Sequence, residues 1–315
     1  MAEQPIKVGV VGVGNLGRHH ARLYASLPEA ELVAVADRDS DRAGKIAASY
    51  GCEAVSEASQ LIGKVRAASV AVPTRDHRAV AEPLLDAGID VLVEKPLART
   101  LEEADAINAA ARRGARLVMV GHSERFNPAV VALTREVREP RFFEIHRLAG
   151  FSARSTDIDV VLDLMIHDLD LLLHLDGSEV NSVDAVGVAA LTEEVDIANA
   201  RIRMSSGCVA NLTASRISAE PVRRVRVFQA NTYFSCDTGA RAVERYRLVP
   251  TDGAQPKIVH DRLPIEEAEP LSLELGAFLG CCRSRSTPPV DGLQGRSVLE
   301  LAHRVRETIA DGRRP

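Results

Sequence analysis

Four polar residues, Asp163, His167, Asp170 and His174, lie along a segment whose other residues are almost all apolar. Asp168 is the chief exception among those other residues. The spacings between the four polar residues, which are four, three and four, place them on one stripe of an α-helix. An imidazole one helical turn from a carboxylate can accept a proton from a substrate hydroxyl, while the carboxylate orients the ring and stabilises its charged form. The pattern therefore predicts that Asp163 and His167 form an acid–base pair at a reaction site.

The same stripe is equally typical of two structural roles. It can be an internal hydrogen-bond network or the solvent-exposed face of an amphipathic helix, and the residues alone leave both open. His and Asp one turn apart can ligate zinc, but no third ligand at a recognisable spacing accompanies them, so no metal site is predicted. His174 lies about 16 Å along the helix from Asp163 and is expected to be structural, because both cannot surround one reacting carbon.

A glycine-rich turn near the start of the chain predicts a dinucleotide site. Gly12, Gly14 and Gly17 follow a strand-like run, residues 6–12, and open a helical segment. In that context the first glycine permits a tight turn, the second lets a pyrophosphate approach the backbone, and the third lets helix and strand pack closely. The predicted phosphate-binding residues are Gly12, Gly14, Asn15, Leu16 and Gly17.

Asp37 lies twenty residues beyond Gly17, at the end of the second strand-like run. An acidic side chain there accepts hydrogen bonds from both hydroxyls of an adenosine ribose and repels a 2′-phosphate, so NAD is the predicted cofactor. NADP stays open, because Arg38 and Arg42 are close enough in sequence to pair with a 2′-phosphate. The complete series of strand, turn, helix, strand and acid disfavours the alternative of glycines that only serve turns.

Two later strand-like runs also end in polar residues. Pro73-Thr74, with His77 shortly after, ends one run, and Glu94-Lys95-Pro96 ends the next. Open α/β sheets bind ligands at the carboxyl ends of their strands, and Pro96 favours an extended Lys95 at the tip of its strand. A lone lysine at a strand end is more often a solvated charge, so the residues alone do not assign Lys95 a role.

Four motifs appear in order along the chain: Gly12-x-Gly14-x-x-Gly17, Pro73-Thr74-x-x-His77, Glu94-Lys95-Pro96 and Asp163-x-x-x-His167-x-x-Asp170. This series resembles the Gfo/Idh/MocA family of nicotinamide-dependent sugar and cyclitol oxidoreductases. The resemblance implies a Rossmann domain, then an α+β domain whose open sheet makes oligomer contacts, giving a homodimer or homotetramer. It also implies that Lys95, Asp163 and His167 line the reaction site and that Pro73, Thr74, His77, Glu94 and Lys95 lie near the cofactor.

Within the family, residues 154–174 and 121–128 look most like members that act on nucleotide-linked amino sugars. The expected reaction is oxidation of a secondary hydroxyl, the 3-hydroxyl of a UDP-linked N-acetylamino sugar. Arg125 and Arg154 are the candidate substrate contacts, and a surface salt bridge is an equally good role for Arg154. Met165 stands where many members have glycine, which places the sugar specificity in question. The alternatives are an inositol or free-sugar dehydrogenase and a non-catalytic dinucleotide-binding sensor.

Oxidation of an alcohol needs a base for the hydroxyl proton. Histidine has an unperturbed pKa of about 6.5 and lysine one of about 10.4, so His167 is the easier base at neutral pH. The working assignment is His167 as base, Asp163 as its partner and Lys95 as hydrogen-bond donor to the developing alkoxide. The reverse assignment, with Lys95 as base, stays open.

Buried strand-like runs alternate with helical segments over the first 120 residues, which predicts a doubly wound parallel sheet. The later part has a helix over 160–174, strand-like runs between 179 and 250, a linker over 286–295, and helices over 270–283 and 296–310. This part predicts a mostly antiparallel sheet backed by helices. The expected domains are residues 1–121 for NAD(P) binding and 122–315 for substrate binding and oligomerisation.

Composition narrows the function further. The chain has 315 residues, 46% of them hydrophobic, and a net charge of -5, so it lacks the basic field that attracts nucleic acid. Every long apolar run is interrupted by charge before a membrane-spanning length, and the start lacks a signal-like pattern, so a cytoplasmic protein without a membrane or nucleic-acid partner is expected. The five cysteines are scattered and fit neither a disulfide framework nor a metal knuckle.

Overall fold

The computed structural model describes residues 4–151, 158–251 and 254–312. The chain forms two compact units, the first comprising Met1–Ser123 and Glu269–Leu299 and the second Glu124–Ala268 and Glu300–Pro315. The domain boundary expected after residue 121 lies close to this division and stays a prediction. Residues 269–299, which that prediction gave to the second domain, pack in the first unit.

The first unit contains a six-stranded, wholly parallel sheet in the order β3-β2-β1-β4-β5-β6. This is the strand order of a doubly wound dinucleotide-binding fold, with its topological switch point between β1 and β4, and the predicted fold class is confirmed. The strands are β1 (Ile6–Val11), β2 (Ala30–Ala36), β3 (Glu53–Val55), β4 (Ala67–Val70), β5 (Asp90–Glu94) and β6 (Val118–Gly121).

Helices cover the parallel sheet, which explains why its central strands are apolar at nearly every position. The side chains of β4 and β5 are buried throughout, including alternate residues that point to opposite faces. The helices of this unit are α1 (Gly17–Ser26), α2 (Ser40–Tyr50), α3 (His77–Asp86), α4 (Leu101–Gly114) and α7 (Pro270–Ser284). Asp39 begins α2 by accepting the backbone N–H of Arg42 at 3.0 Å, which is a standard N-cap.

The second unit contains an eight-stranded sheet in the order β14-β13-β12-β11-β7-β10-β9-β8. All neighbouring strands are antiparallel except β7 and β10, so the predicted mostly antiparallel sheet is confirmed. The strands are β7 (Phe142–Leu148), β8 (Val180–Val188), β9 (Ile197–Met204), β10 (Val209–Ser215), β11 (Val222–Gln229), β12 (Thr232–Asp237), β13 (Ala242–Thr251) and β14 (Ala254–Arg262). Strand β14 lies wholly after residue 250, where the predicted strands ended.

The two faces of this sheet differ in chemistry. Phe143, Ile145, Val225 and Val227 alternate into the buried face. On the opposite face aromatic rings contact one another across neighbouring strands: three pairs are stacked with centroid separations of 4.4–5.3 Å, and the Phe142–Phe228 pair is tilted at 5.7 Å. The rings belong to Phe142, Phe228, Tyr233, Tyr246 and His260.

The helices after residue 122 depart from the prediction in two places. Residues Val161–Met165 form a π-helical turn, and α6 (Ile166–Asp176) follows it, where one continuous α-helix over 160–174 was predicted. Helix α8 (Gly292–Asp311) begins inside the segment predicted as a linker, and α5 (Pro128–Glu136) begins after Asn127, whose side chain caps it. Over the described ranges, no helix combines the length and apolar character that crossing a membrane requires.

Candidate active site

The loop after β1 has the geometry that its glycines predict. Gly12 has a φ of 81°, and a Cβ at this position would lie 2.8 Å from the Ala71 carbonyl oxygen. A Cβ at Gly17 would lie 1.7 Å from the Gly12 carbonyl oxygen, so any side chain there would displace the loop. At Gly14 a Cβ would meet no atom within 4 Å, so the backbone at Gly14 borders open space.

A cavity of about 450 Å³ lies beside this loop, at the carboxyl ends of β1, β2 and β4. Seven of the predicted cofactor residues line it: Gly12, Gly14, Asn15, Leu16, Asp37, Arg38 and Pro73. The other five, Gly17, Thr74, His77, Glu94 and Lys95, do not belong to its lining. The cavity lies at the switch point of the sheet, where doubly wound folds bind nucleotides.

Three further lining residues follow the short strand β3: Ser56, Glu57 and Ala58. Sequence reasoning missed them because it did not recognise β3, whose three residues carry no periodicity. Their position could have identified them, because β3 runs parallel to β2 and the residues that follow the two strands therefore lie side by side, next to Asp37.

Asp37 is held at the edge of the cavity by its own hydrogen bonds. Its carboxylate accepts the backbone N–H of Val13 at 2.9 Å and that of Asp39 at 2.9 Å. Arg42 approaches the same carboxylate at 3.2 Å and also pairs with Asp39 at 2.9 Å. The acid therefore connects the glycine loop to the end of β2, and its charge faces the space where an adenosine ribose binds in this fold.

These residues fit NAD. The open backbone at Gly14 and the start of α1 suit a pyrophosphate, and the fixed carboxylate of Asp37 suits two ribose hydroxyls.

Replacing Asp37 should change cofactor choice. We expect Asp37→Ala to lower kcat/KM for NAD by about tenfold, the equivalent of about 1.4 kcal/mol, and to raise kcat/KM for NADP, because Arg42 loses one of its two acidic partners. Steady-state kinetics with both cofactors measures this ratio. An Asp37→Ala variant with unchanged preference for NAD would show that the carboxylate does not select the cofactor.

The Glu94-Lys95-Pro96 segment begins at the last residue of β5, and buried histidines contact Glu94 and Pro96. The Glu94 carboxylate lies 2.8 Å from His20 Nε2 and accepts the Lys95 backbone N–H at 3.2 Å. His77 lies between two carbonyl oxygens, with Nδ1 3.0 Å from that of Pro96 and Nε2 3.0 Å from that of Val72. Lys95 is half-buried, and the Lys95–Pro96 peptide bond is cis.

The helix that carries Asp163 and His167 begins at a side-chain cap. Asp159 accepts the backbone N–H groups of Val161 and Leu162, each at 3.0 Å, and Arg306 Nε donates to its other oxygen at 2.6 Å. Asp163 lies within the π-helical turn and His167 at the start of α6, and both are half-buried. π-Helical turns inside helices are frequent at functional sites because they re-aim the side chains they carry.

The rest of the predicted polar stripe belongs to an internal network. Asp170 is fully buried and makes a bidentate pair with Arg125, at 2.7 and 2.8 Å. Arg125 Nη1 also lies 3.2 Å from His174 Nδ1. Arg125 thus has protein partners, and its predicted contact with substrate stays a prediction; Arg154 lies outside the described residues.

Asp168, the polar residue of this segment that lies outside the stripe, is also buried. Arg147 on β7 donates to it at 2.8 and 2.9 Å and lies 3.5 Å from Glu124. Burial alone lowers the pKa of Arg147, but the two carboxylates outweigh it and raise that pKa above its ordinary value. This pair attaches α6 to the sheet at the residue next to His167. Within the part of the chain that the structure describes, no group of three acidic, His or Cys residues could hold a metal.

A second buried pair fixes the chain just before this helix. Arg216 donates to the Asp196 carboxylate at 2.9 Å and to the Ile158 carbonyl oxygen at 2.5 Å. The same carboxylate accepts three backbone N–H groups, those of Ala190, Leu191 and Thr192. Burial alone raises the pKa of Asp196, but these hydrogen bonds and Arg216 outweigh it and hold the pKa well below the usual range of a carboxyl.

The lowered pKa gives a pH-dependent prediction. Because the folded pKa lies below the unfolded value of about 3.9, Asp196 stabilises the fold above that value and loses this contribution as the pH falls through the folded pKa. We expect Asp196→Asn to lower the free energy of unfolding by about 3–5 kcal/mol at neutral pH, since it leaves Arg216 buried without its charge partner. Urea unfolding at several pH values should show the difference from wild type shrinking below about pH 4. A difference that does not vary with pH would contradict this account.

Two protein-family models match this chain, one in its earlier part and one in its later part. Residues 6–122 match the family described as "Oxidoreductase family, NAD-binding Rossmann fold", and residues 131–234 match the "GFO/IDH/MocA C-terminal domain".

Individual relatives agree over nearly the whole chain. UDP-N-acetylglucosamine 3-dehydrogenase from Acidithiobacillus ferrooxidans is 40% identical over 306 residues, covering 96% of this chain and 97% of the relative. Scyllo-inositol 2-dehydrogenase (NAD(+)) from Bacillus subtilis is 28% identical over 331 residues, covering 98% of this chain and 96% of the relative. A solved structure of the Acidithiobacillus enzyme superposes with a TM-score of 0.91 at 38% identity, covering 98% of this chain and 99% of that one.

Proposed function

This chain belongs to the Gfo/Idh/MocA family of NAD-dependent oxidoreductases, and we propose that it oxidises the 3-hydroxyl of UDP-N-acetylglucosamine or a closely related UDP-linked N-acetylamino sugar. The observation that carries this proposal is the 40% identity to UDP-N-acetylglucosamine 3-dehydrogenase over 96% of the chain. The inositol dehydrogenase from Bacillus subtilis also aligns along the full length but at 28% identity, which favours the nucleotide sugar over an inositol.

Lys95, Asp163 and His167 carry the chemistry in this proposal. His167 accepts the proton of the substrate hydroxyl, Asp163 orients the imidazole and stabilises its charged form, and Lys95 donates a hydrogen bond to the developing alkoxide. Bound NAD supplies the acceptor for the hydride that leaves the same carbon. The C–H and O–H bonds break, the carbonyl double bond forms, and the proton ends on His167, so the charges and electrons balance.

The reverse assignment has Lys95 as base and His167 as donor. The unperturbed pKa values favour histidine at neutral pH, because a lysine of ordinary pKa is protonated there and cannot accept a proton. The pH dependence of kcat/KM in the two single variants distinguishes the assignments.

The second unit also supports a homo-oligomer, which is part of the proposal. One face of its sheet carries the row of aromatic rings from Phe142 to His260, and Ile258 on the edge strand β14 is 74% exposed. Apolar and aromatic groups on such a face are typical of an interface between subunits. A dimer or tetramer in the cytoplasm is the state we propose, and the free cysteines suit that reducing compartment.

A substrate panel tests the proposed function. The purified protein is incubated with NAD and, separately, UDP-N-acetylglucosamine, UDP-glucose, N-acetylglucosamine, scyllo-inositol and myo-inositol, while the absorbance of reduced cofactor is followed. We expect turnover with UDP-N-acetylglucosamine and at least a tenfold lower kcat/KM with the free sugars and the inositols.

The other outcomes each identify a different function. A higher kcat/KM with an inositol or a free sugar would replace the proposed substrate, and the family's chemistry would stand. Binding of NAD without turnover of any sugar or cyclitol would favour a non-catalytic sensor.

A further inference from the structure

A buried histidine–carboxylate pair connects the cofactor-binding helix to the lysine turn. His20 lies on α1, three residues after Gly17, and is fully buried. Its Nε2 lies 2.8 Å from Glu94 Oε1, and the side chains of the two residues are 0% and 9% exposed. Burying a carboxylate is costly unless it is hydrogen-bonded, and an apolar pair would serve packing alone, so this pair calls for a reason beyond packing.

The second oxygen of the Glu94 carboxylate continues the connection. Glu94 Oε2 accepts the backbone N–H of Lys95 at 3.2 Å, so one carboxylate joins the His20 ring to the Lys95 backbone. Gly121 pairs with Glu94 across β5 and β6, and a Cβ at Gly121 would lie 3.0 Å from the carboxylate carbon and from Oε2. The carboxylate therefore fills the space between His20 and the backbone of β6 and has little freedom to rotate.

Pro96, the residue after Lys95, contacts a second buried histidine, His77. His77 Nδ1 lies 3.0 Å from the Pro96 carbonyl oxygen, and its Nε2 lies 3.0 Å from the Val72 carbonyl oxygen at the end of β4. A buried imidazole thus lies beside each neighbour of Lys95, that of His20 at the Glu94 carboxylate and that of His77 at the Pro96 carbonyl oxygen. A long, flexible side chain can hold its ammonium in place only if its backbone is fixed, and a displacement of about 1 Å at a reacting group can cost about 100-fold in rate.

We propose that His20 is a positioning residue for Lys95 and acts through the Glu94 carboxylate. The inference rests on the catalytic role proposed for Lys95. His20 lies one turn from the glycine loop, so the pair fixes the distance between the phosphate-binding end of α1 and the lysine within a single unit. A role confined to folding would instead change stability and cofactor affinity.

A double-mutant cycle separates these two roles. His20→Ala is expected to lower kcat by about tenfold or more while the Kd for NAD changes less than about twofold. His20→Gln, whose side-chain amide can donate to Glu94, is expected to restore most of kcat. In a Lys95→Ala background, His20→Ala should change kcat by less than about twofold, because the group that it positions is already gone.

Other results of the same cycle would contradict the positioning role of His20. An equal loss of kcat from His20→Ala in both backgrounds, or no loss in the wild-type background, would overturn the positioning role. If Lys95→Ala keeps the wild-type kcat, the proposed catalytic role fails, and the inference fails with it. If His20→Ala does not fold, as judged by its circular dichroism spectrum, the same cycle is run with the apolar, larger His20→Leu.

A second readout needs no sugar substrate. The chain has only five lysines, so the acylation rate of each by acetic anhydride can be followed by peptide mass spectrometry. The measurement uses His20→Ala, or His20→Leu if the alanine variant does not fold. In the presence of NAD, the acylation rate of Lys95 should differ from that in wild type by at least about threefold, while the acylation rate of exposed Lys45 on α2 should be the same in both. An unchanged rate at Lys95 would overturn the inference whatever substrate the enzyme uses.

Discussion

Lys95→Met is expected to lower kcat by about 100- to 1,000-fold while the Kd for NAD stays within about twofold of wild type. Methionine keeps most of the length and apolar character of the lysine stem but cannot donate a hydrogen bond to a developing alkoxide, and the loss of one such donor typically costs this much. Steady-state kinetics with UDP-N-acetylglucosamine gives kcat, and fluorescence titration gives the Kd for NAD.

The matched control for this variant is Lys45→Met. Lys45 is an exposed lysine on α2, and its loss should leave kcat unchanged. If Lys95→Met raised the KM for substrate without lowering kcat, Lys95 would contribute equally to ground-state and transition-state binding, and its catalytic role would be refuted.

His167→Ala is expected to lower kcat by about 100- to 10,000-fold, the range that general-base catalysis supplies. A base removed in this way can be replaced from solution, so added imidazole should restore part of the lost rate. In wild type, kcat/KM should fall as the pH drops below the pKa of His167 in the enzyme without substrate, since only the neutral ring accepts a proton. The variant should lose this dependence.

His303→Ala on α8 is the control for His167→Ala, and wild-type kcat is expected for it. A His167→Ala variant that keeps the fall in kcat/KM at low pH and is not rescued by imidazole would transfer the role of base to Lys95. A wild-type kcat in His167→Ala would remove the histidine from the reaction.

Much of the first unit could be predicted from sequence, because its strands are buried on both faces and are therefore apolar throughout. The glycine loop and Asp37 were also predictable, since a cofactor that binds backbone imposes the same residues wherever this turn is built. The short strand β3 and its lining residues Ser56–Ala58 were not, because three residues at the edge of a sheet leave no periodic pattern.

The helix of Asp163 and His167 shows a different limit. Its apolar character predicted burial, which the structure confirms for Met165 and Leu169, but spacing alone assumed a regular α-helix. The π-helical turn follows residues that are anchored by Arg306 at the Asp159 carboxylate and by Arg216 at the carbonyl oxygen of Ile158. Those contacts join parts of the chain that are distant in sequence, so no local pattern announces them.

The contact between His20 and Glu94 illustrates the same limit at a site residue. The two residues are 74 positions apart, and a single histidine on a helix is an ordinary residue until its partner is known. The strand-end position of Glu94 could be derived from sequence. That its carboxylate turns inward to His20 and to the Lys95 backbone could be learned only from the structure.

The most direct test of the proposed function uses UDP-N-acetylglucosamine with deuterium in place of hydrogen at C3. After incubation with the protein and NAD, the reduced cofactor is isolated and its mass is measured. The account predicts that the reduced cofactor carries the deuterium, because the hydride leaves from the carbon that bears the 3-hydroxyl. Reduced cofactor without deuterium, or no reduced cofactor from this substrate, would contradict it.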